Sequence, residues 1–154
     1  MSKIEIIEAT EKHVSTIVYL VRSLLIELDP SAEEELDILS LEDITRRLIH
    51  QNKLWALLAY TGEEFIGVLT LHECASIYAG GIFGEISELY VVPQYRSKSI
   101  GDQLISSSFK KAKALGWKRL EVGIPPISNS PRTLKFYENM EFKCTGTRMK
   151  YVFS

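Results

Sequence analysis

The stretch Glu88-Leu-Tyr-Val-Val-Pro-Gln-Tyr-Arg-Ser-Lys-Ser-Ile-Gly101, followed at once by Asp102-Gln-Leu-Ile-Ser106, constrains this chain more than any other. It reads as a β-branched strand, a turn marked by Pro93, a short basic loop of small residues, and then an amphipathic helix. A loop of this kind, feeding a helix N-terminus, presents several backbone N–H groups that have no intrahelical partner. The helix dipole turns its positive end the same way. Together they make a seat for a phosphate group, with Arg96 and Lys98 adding two cations beside it. The segment therefore has to be placed in a fold that ends a strand and starts a helix at one point, and it calls for a phosphorylated ligand.

The rest of the chain supplies such a fold. Lys3–Glu8 alternates as a first strand. Thr10 can cap a helix whose apolar positions Val14, Ile17, Val18, Val21, Leu24, Leu25 and Leu28 fall at helical spacing, and Asp29-Pro30 ends it. An acidic connection follows, with Glu33, Glu34, Glu35 and Asp37. Ser40 with Asp43 resembles a capping box opening a second helix through Leu48. Leu54–Tyr60 and Phe65–His72 read as a hairpin across Thr61-Gly-Glu-Glu64, and Ile82–Val92 as the strand that leads to the basic loop. Leu104, Ile105, Phe109, Ala112 and Leu115 trace one face of the following helix, which Gly116 stops. Arg119–Ile124 is a short strand closed by Pro125-Pro126. Asn129 or Ser130 caps a last helix with Pro131 at its first position and Thr133–Met140 as its body. Phe142–Phe153 reads as one or two final strands.

The element order is thus β, α, α, β, β, β, α, β, α, β, a single mixed α/β domain over residues 1–154. The three-strand run in its middle is antiparallel, and strands joined across one helix are parallel. The length suits one domain with a substantial core. With a net charge of −2 and interspersed signs, no basic face for nucleic acid is expected. The N-terminus carries no signal-peptide core, and no apolar run approaches a membrane span, so a cytoplasmic protein is expected. Cys74 and Cys144 lie far apart in sequence and form no metal-like pair, and no His/Cys/Asp cluster stands out, so no metal is expected. His13, His50 and His72 fall on unrelated elements with no Ser or Cys partner at a recognisable spacing.

Two landmarks carry a family resemblance. Arg96-Ser-Lys-Ser-Ile-Gly101 resembles the Arg/Gln-x-x-Gly-x-Gly/Ala signature of the GCN5-related N-acetyltransferases (GNAT), and Glu88–Pro93 resembles that family's fourth strand and its exit. Phe136-Tyr-Glu-Asn-Met-Glu-Phe142 is similar to the family's Tyr-x-x-x-Gly-Phe helix ending, with Asn129 or Ser130 near that motif's leading Asn. The element order matches the acyl-CoA N-acyltransferase fold, a mixed central sheet flanked by helices, over essentially the whole chain. Three positions depart from the pattern. Ser97 and Ser99 stand where glycines are usual, and so does Glu141. A side chain forced into the left-handed region costs about 1–2 kcal/mol, so either the loop avoids positive φ or it tolerates strain. Asn139 can turn the helix end in place of the missing glycine, since Asn tolerates that region.

The resemblance implies an acetyl-CoA-dependent N-acetyltransferase acting on a primary amine of a small molecule or peptide. The diphosphate would lie on Arg96, Ser97, Lys98, Ser99, Ile100, Gly101 and Asp102. The pantetheine arm or acetyl group would meet the backbones of Leu89, Tyr90 and Val91, and Asn129 and Tyr137 would complete the cofactor site. Tyr137 is the implied general acid: its ordinary pKa of about 10 lies above the roughly 8.5 of a thiol. Deprotonating an alkyl ammonium of pKa near 10.4 at pH 7 costs about 4–5 kcal/mol, which a carboxylate base can offset. Simple alternation puts Glu88 and Tyr90 on one strand face and Glu85 on the other, which favours Glu88 as base unless a bulge changes the assignment. The acidic connection Glu33–Asp37 could attract a cationic acceptor, although a solvated charged loop fits it better. Two other readings stay open: a non-catalytic CoA-binding module of the same fold, and a domain for another phosphate ligand such as a nucleotide. Apolar strand edges leave room for a homodimer.

Overall fold

A computed structural model describes residues 3–124 and 131–154. The chain divides into two compact units, Met1–Glu121 and Val122–Ser154. The first contains a sheet whose strands stand in the order β1 (Glu5–Glu8), β2 (Trp55–Tyr60), β3 (Phe65–Ser76), β4 (Gly81–Val91) and β5 (Leu120–Val122), which runs into the second unit. Successive pairs from β1 to β4 are antiparallel. Two helices intervene between β1 and β2, so the chain returns to the end it left and the strands oppose. The single helix between β4 and β5 makes the crossover expected of a mixed sheet.

Thr10 opens a short 3₁₀ turn, Glu11–His13, and its N–H donates to His13 Nδ1 at 3.0 Å. The turn runs straight into α1 (Val14–Leu28). His13 is therefore part of this entry turn and packs edge-on against Phe65. The acidic connection coils as a 3₁₀ segment, Pro30–Glu35, and Arg22 Nε donates to the Leu36 carbonyl at 2.9 Å. Helix α2 (Ile38–His50) starts three residues earlier than the Ser40/Asp43 capping pattern implies. Asp37 is its cap, accepting from the Ser40 N–H at 2.9 Å and the Ser40 hydroxyl at 2.8 Å. The aspartate nearer the helix start wins because it reaches the free N–H groups of the first turn.

Alternation along β2 and β3 sends side chains to two layers. On one face Ala56, Leu58, Val68 and Tyr90 pack with Ile17 and Leu20 of α1. On the other, Gly67 lies against Leu104 of α3 (Ile100–Ala114), whose Ile100, Leu104, Ile105 and Ala112 are buried as the sequence pattern requires. Gly116, at φ +80°, ends α3. Trp117 then folds over Gly84: a Cβ there would stand 2.1 Å from Trp117 Cε3. The indole also meets Trp55 edge to face, and its N–H donates to Glu73 Oε1 at 2.7 Å.

In the second unit, α4 spans Pro131–Asn139. Its left-handed residue is Glu141, at φ +70°, and not Asn139, which remains the last residue of the helix. The proposed caps Asn129 and Ser130 lie outside the described residues. The expected final strands over 142–153 are not formed: those residues carry no strand assignment, and Met149, Tyr151, Val152 and Phe153 are exposed. Apolar alternation becomes a strand only where a neighbour completes its ladder of hydrogen bonds, and no such ladder exists there among the described residues. No helix among the described residues is long and apolar enough to cross a membrane.

The contact between Gly84 and Trp117 gives a direct test. Gly84→Ala forces the indole out of a filled site, and overpacking of this kind costs about 1–3 kcal/mol. Urea denaturation should show a loss of that size. An unchanged midpoint would mean that Trp117 does not lie on Gly84.

Candidate active site

The pairing of β3 with β4 is not continuous. Thr70 faces Glu88 and Leu71 faces Ile86, so Ser87 is the extra residue of a β-bulge. Beyond it, His72 faces Glu85. Thr70 and His72 are two apart on β3 and share a face, so their partners Glu88 and Glu85 share that face as well. The expectation that Glu85 points the opposite way from Glu88 is therefore corrected: the inserted residue reverses the parity between them.

That face forms the floor of a cleft of about 620 Å³. Its apolar wall comes from α1 and α2, including Ile17, Val21, Leu41 and Ile44, and its polar floor from Thr70, His72, Ser87 and Glu88. The cleft lies wholly within the first unit. Glu88 is half-buried. Its N–H donates to Thr70 Oγ1 at 3.0 Å, and Thr70 Oγ1–H donates in turn to Glu88 Oε1. This fixes one carboxylate oxygen, and since a carboxylate offers about four lone pairs, acceptor capacity remains for a ligand. His72 Nδ1 stands 2.6 Å from Ser87 Oγ. Glu33, Glu34, Glu35 and Asp37 do not line this cleft. Asp37 is occupied as a helix cap.

Leu89, Tyr90 and Val91 pair on one side with Leu69, Val68 and Gly67 of β3. On the other side β5 has three residues against eleven in β4. Next to β5, the Gly84 N–H donates to the Arg119 carbonyl at 3.1 Å, toward the end of β4 away from Leu89–Val91. Among the described residues no strand covers the outer edge at Leu89–Val91, and such an edge can take an extended ligand as an added strand.

The basic loop follows a 3₁₀ turn, Pro93–Tyr95. Ser97 and Ser99 both adopt left-handed conformations, with φ +64° and +63°. The loop thus takes the backbone path that glycines usually serve and accepts the strain. Ser99 is the N-cap of α3 but makes no side-chain cap, so the first N–H groups of this fifteen-residue helix, from Ile100 to Asp102, are turned outward without a capping oxygen. Left-handed residues alternating with ordinary ones gather successive N–H groups into an anion-binding concavity. Ser97, Lys98 and Ser99 are exposed, Ile100 is buried and anchors the helix, and Gly101 is half-buried.

Arg96 is not a free cation. Its guanidinium grips Glu27 of α1 through two bonds of 2.8 and 2.7 Å, its Nε donates to the Val91 carbonyl at 2.8 Å, and it lies over the Tyr90 ring. The Arg96 hydrogen bond holds the Glu27 carboxyl below its ordinary range, and Glu27 in turn raises Arg96. The arginine clamps the loop to the strand end and to α1. Lys98 is a second, exposed cation of the loop. Glu27 carries no local sequence signal, since it lies 69 residues from its partner.

Tyr137, in the second unit, is buried and packs edge to face with Phe136 and Phe142. The N–H of Phe142 donates to the Tyr137 carbonyl at 2.9 Å. The left-handed Glu141 between them allows that closure. Burial pushes the Tyr137 hydroxyl up to about 12.

Comparison with known proteins accords with this architecture. The sequence profile of the acetyltransferase (GNAT) family matches residues 18–142. An aminoalkylphosphonate N-acetyltransferase of Salmonella typhimurium is 28% identical over 119 residues, covering 77% of this chain and 72% of the relative. Among solved structures, a transcriptional regulator from Bacillus halodurans C-125 superposes with a TM-score of 0.83 at 22% identity, over 98% of this chain and all of the other. An aminoglycoside N-acetyltransferase in complex with CoA gives a TM-score of 0.78 at 16% identity, over 99% and 95% of the two chains. The chain belongs to the acetyltransferase (GNAT) family and is by class an N-acetyltransferase, as the two landmarks imply.

The strained loop is testable. Ser99→Gly removes a left-handed side-chain penalty of about 1–2 kcal/mol while adding freedom to the unfolded chain. A net gain of up to about 1 kcal/mol is expected in thermal or chemical denaturation. A loss of stability would contradict the left-handed assignment.

Proposed function

We propose that this chain transfers an acetyl group from acetyl-CoA to the primary amine of a small molecule or peptide. The observation that carries the reading is the run from Leu89 to Asp102. A strand edge open to an extended arm leads into a left-handed loop that gathers uncapped N–H groups at a helix start. The residues present fit the two ends of acetyl-CoA: the amides of Ser97–Asp102 with Lys98 for the diphosphate, and the backbone of Leu89–Val91 for the arm. Arg96 acts as a positioning residue, because its guanidinium is committed to Glu27. The Asp102 carboxylate is exposed, and it is the N–H of Asp102 that serves the anion.

The acceptor amine enters the cleft between α1, α2 and the sheet, whose apolar walls suit the carbon skeleton of a small amine. Glu88 takes the proton from the ammonium, directly or through water. Thr70 holds one of its oxygens and thereby the orientation of the other. Glu85 shares the face but is not part of the cleft lining, which supports Glu88 as base. The neutral amine attacks the thioester carbonyl, the C–N bond forms, the C–S bond breaks, and the sulfur leaves as thiolate.

Tyr137 is proposed, on the family resemblance, to serve the departing sulfur. With its hydroxyl pushed up to about 12, full proton transfer to a thiolate whose acid has a pKa near 8.5 is uphill by about 5 kcal/mol. Its contribution is therefore a hydrogen bond, of about 1.5–3 kcal/mol for a charged partner, with the proton itself arriving from solvent or from the protonated product. The raised value also keeps the hydroxyl intact: its proton is retained below about pH 10 and lost only as pH rises toward 12, so turnover should show no Tyr137-dependent decline between pH 7 and 10.

Tyr137→Phe should lower kcat by about ten- to a hundredfold with CoA affinity nearly unchanged. An unaltered kcat removes Tyr137 from the reaction. Release of CoA thiol, followed over a panel of primary amines, tests the activity. Acetyl-CoA-dependent thiol release with at least one amine, abolished or cut at least tenfold by Glu88→Gln, is the expected result. Cofactor binding without turnover across the panel would favour a non-catalytic CoA holder.

A further inference from the structure

The β-bulge has a second consequence at the far side of Ser87. His72 and Cys74 lie two apart on β3 and share a face. Glu85 of β4 stands directly opposite His72, and Cys74 is its diagonal neighbour. One ligand atom from each of the three lies within 4.8 Å of the others, and all three residues are half-buried. We propose that His72, Cys74 and Glu85 form a binding site for a divalent d-block cation of the zinc type.

The donor set selects the metal. An imidazole nitrogen, a thiolate and a carboxylate suit Zn²⁺, Co²⁺ or Ni²⁺, whereas Mg²⁺ and Ca²⁺ take oxygen donors. A tetrahedral cation with ligand bonds of about 2.0–2.3 Å holds its donors about 3.3–3.8 Å apart. The present spacing closes to that with shifts of about 1 Å, which half-buried side chains on two paired strands can make by small rotamer changes. The second partner of His72 is already in place. When its Nδ1–H donates to Ser87 Oγ, 2.6 Å away, Nε2 keeps its lone pair for the metal. A hydrogen bond of this kind fixes the tautomer of metal-binding histidines. Thiolate and carboxylate together carry two negative charges, matching the cation. The Cys74 thiol proton passes to solvent as the sulfur–metal bond forms, with no change of oxidation state. Three protein donors leave a fourth position for water, the pattern of an open site and not of a closed structural one. The site adjoins the acceptor cleft, because His72 also lines it.

The site is independent of acetyl transfer, and its test does not use activity. Purified full-length protein, reduced and free of chelator, is titrated with Co²⁺, and the sulfur-to-cobalt charge-transfer absorption is recorded in the near ultraviolet. Saturation at one equivalent is expected for the wild type and for Cys144→Ser, with loss of the band in Cys74→Ser and at least tenfold weaker binding in His72→Ala and Glu85→Gln. Zn²⁺ should bleach the band by displacement, and Mg²⁺ should not. A band that survives Cys74→Ser, or the absence of any thiolate band in the wild type, overturns the proposal. Should Cys74→Ser fail to fold by circular dichroism, alkylation of the wild type decides. Zn²⁺ should slow iodoacetamide modification of Cys74 at least tenfold and leave exposed Cys144 unprotected, and equal rates at Cys74 with and without Zn²⁺ refute the site.

Discussion

One extra residue in the β3–β4 ladder determines the chemistry that the sheet face offers. In a regular ladder, without Ser87 as an insertion, Thr70 and His72 would face Glu88 and Ile86, and Glu85 would lie on the opposite surface from Glu88. With it, Glu88 is hydrogen-bonded to Thr70 in the floor of the cleft, and Glu85 joins His72 and Cys74 a few residues further along. The ladder hydrogen bonds on either side hold the bulge, and burial of Leu71, Ile86 and Phe83 prevents a slip that would restore alternation, because a one-residue shift would turn those side chains to the wrong face.

The second constraint lies where β4 hands over to α3. Two non-glycine residues there, Ser97 and Ser99, hold left-handed conformations that favour glycine. The conformational cost at the loop is offset by what surrounds it. Ile100 and Leu104 are fully buried behind the loop, and Arg96 is held at three points by Glu27 and the Val91 carbonyl. The loop is thereby preorganised by its flanks. Binding of an anionic diphosphate then has little backbone ordering left to oppose it.

Much of this was legible in the sequence. The apolar spacing of α1 and α3, the hairpin of β2 and β3, and the Gly116 stop all follow from local periodicity and turn chemistry. So does the strand–loop–helix junction at Val92–Gly101. What escaped depended on partners distant in sequence. Glu27 binds Arg96 from 69 residues away, a partner that no local pattern around the arginine shows. The bulge is a property of two paired strands, and neither strand alone betrays it. The same holds for the meeting of Glu85 with His72 and Cys74, which lie on two strands that only the pairing brings together. The apolar alternation of residues 142–153 read as strand because periodicity reports a face to bury and not the neighbour that must complete the ladder. The capping of α2 by Asp37 and not by Ser40 is a smaller difference of the same kind, since two residues compatible with capping stand within one turn.

The account rests on main-chain amides at the α3 start receiving the cosubstrate's diphosphate. Amide nitrogen–hydrogen NMR spectra of the isotope-labelled chain, recorded through a titration with CoA, test it most directly. The account predicts the largest saturable shifts at Ser97–Asp102, accompanied by smaller ones at Leu89–Val91. Saturable binding that leaves the amides of Ser97–Asp102 unmoved would contradict it.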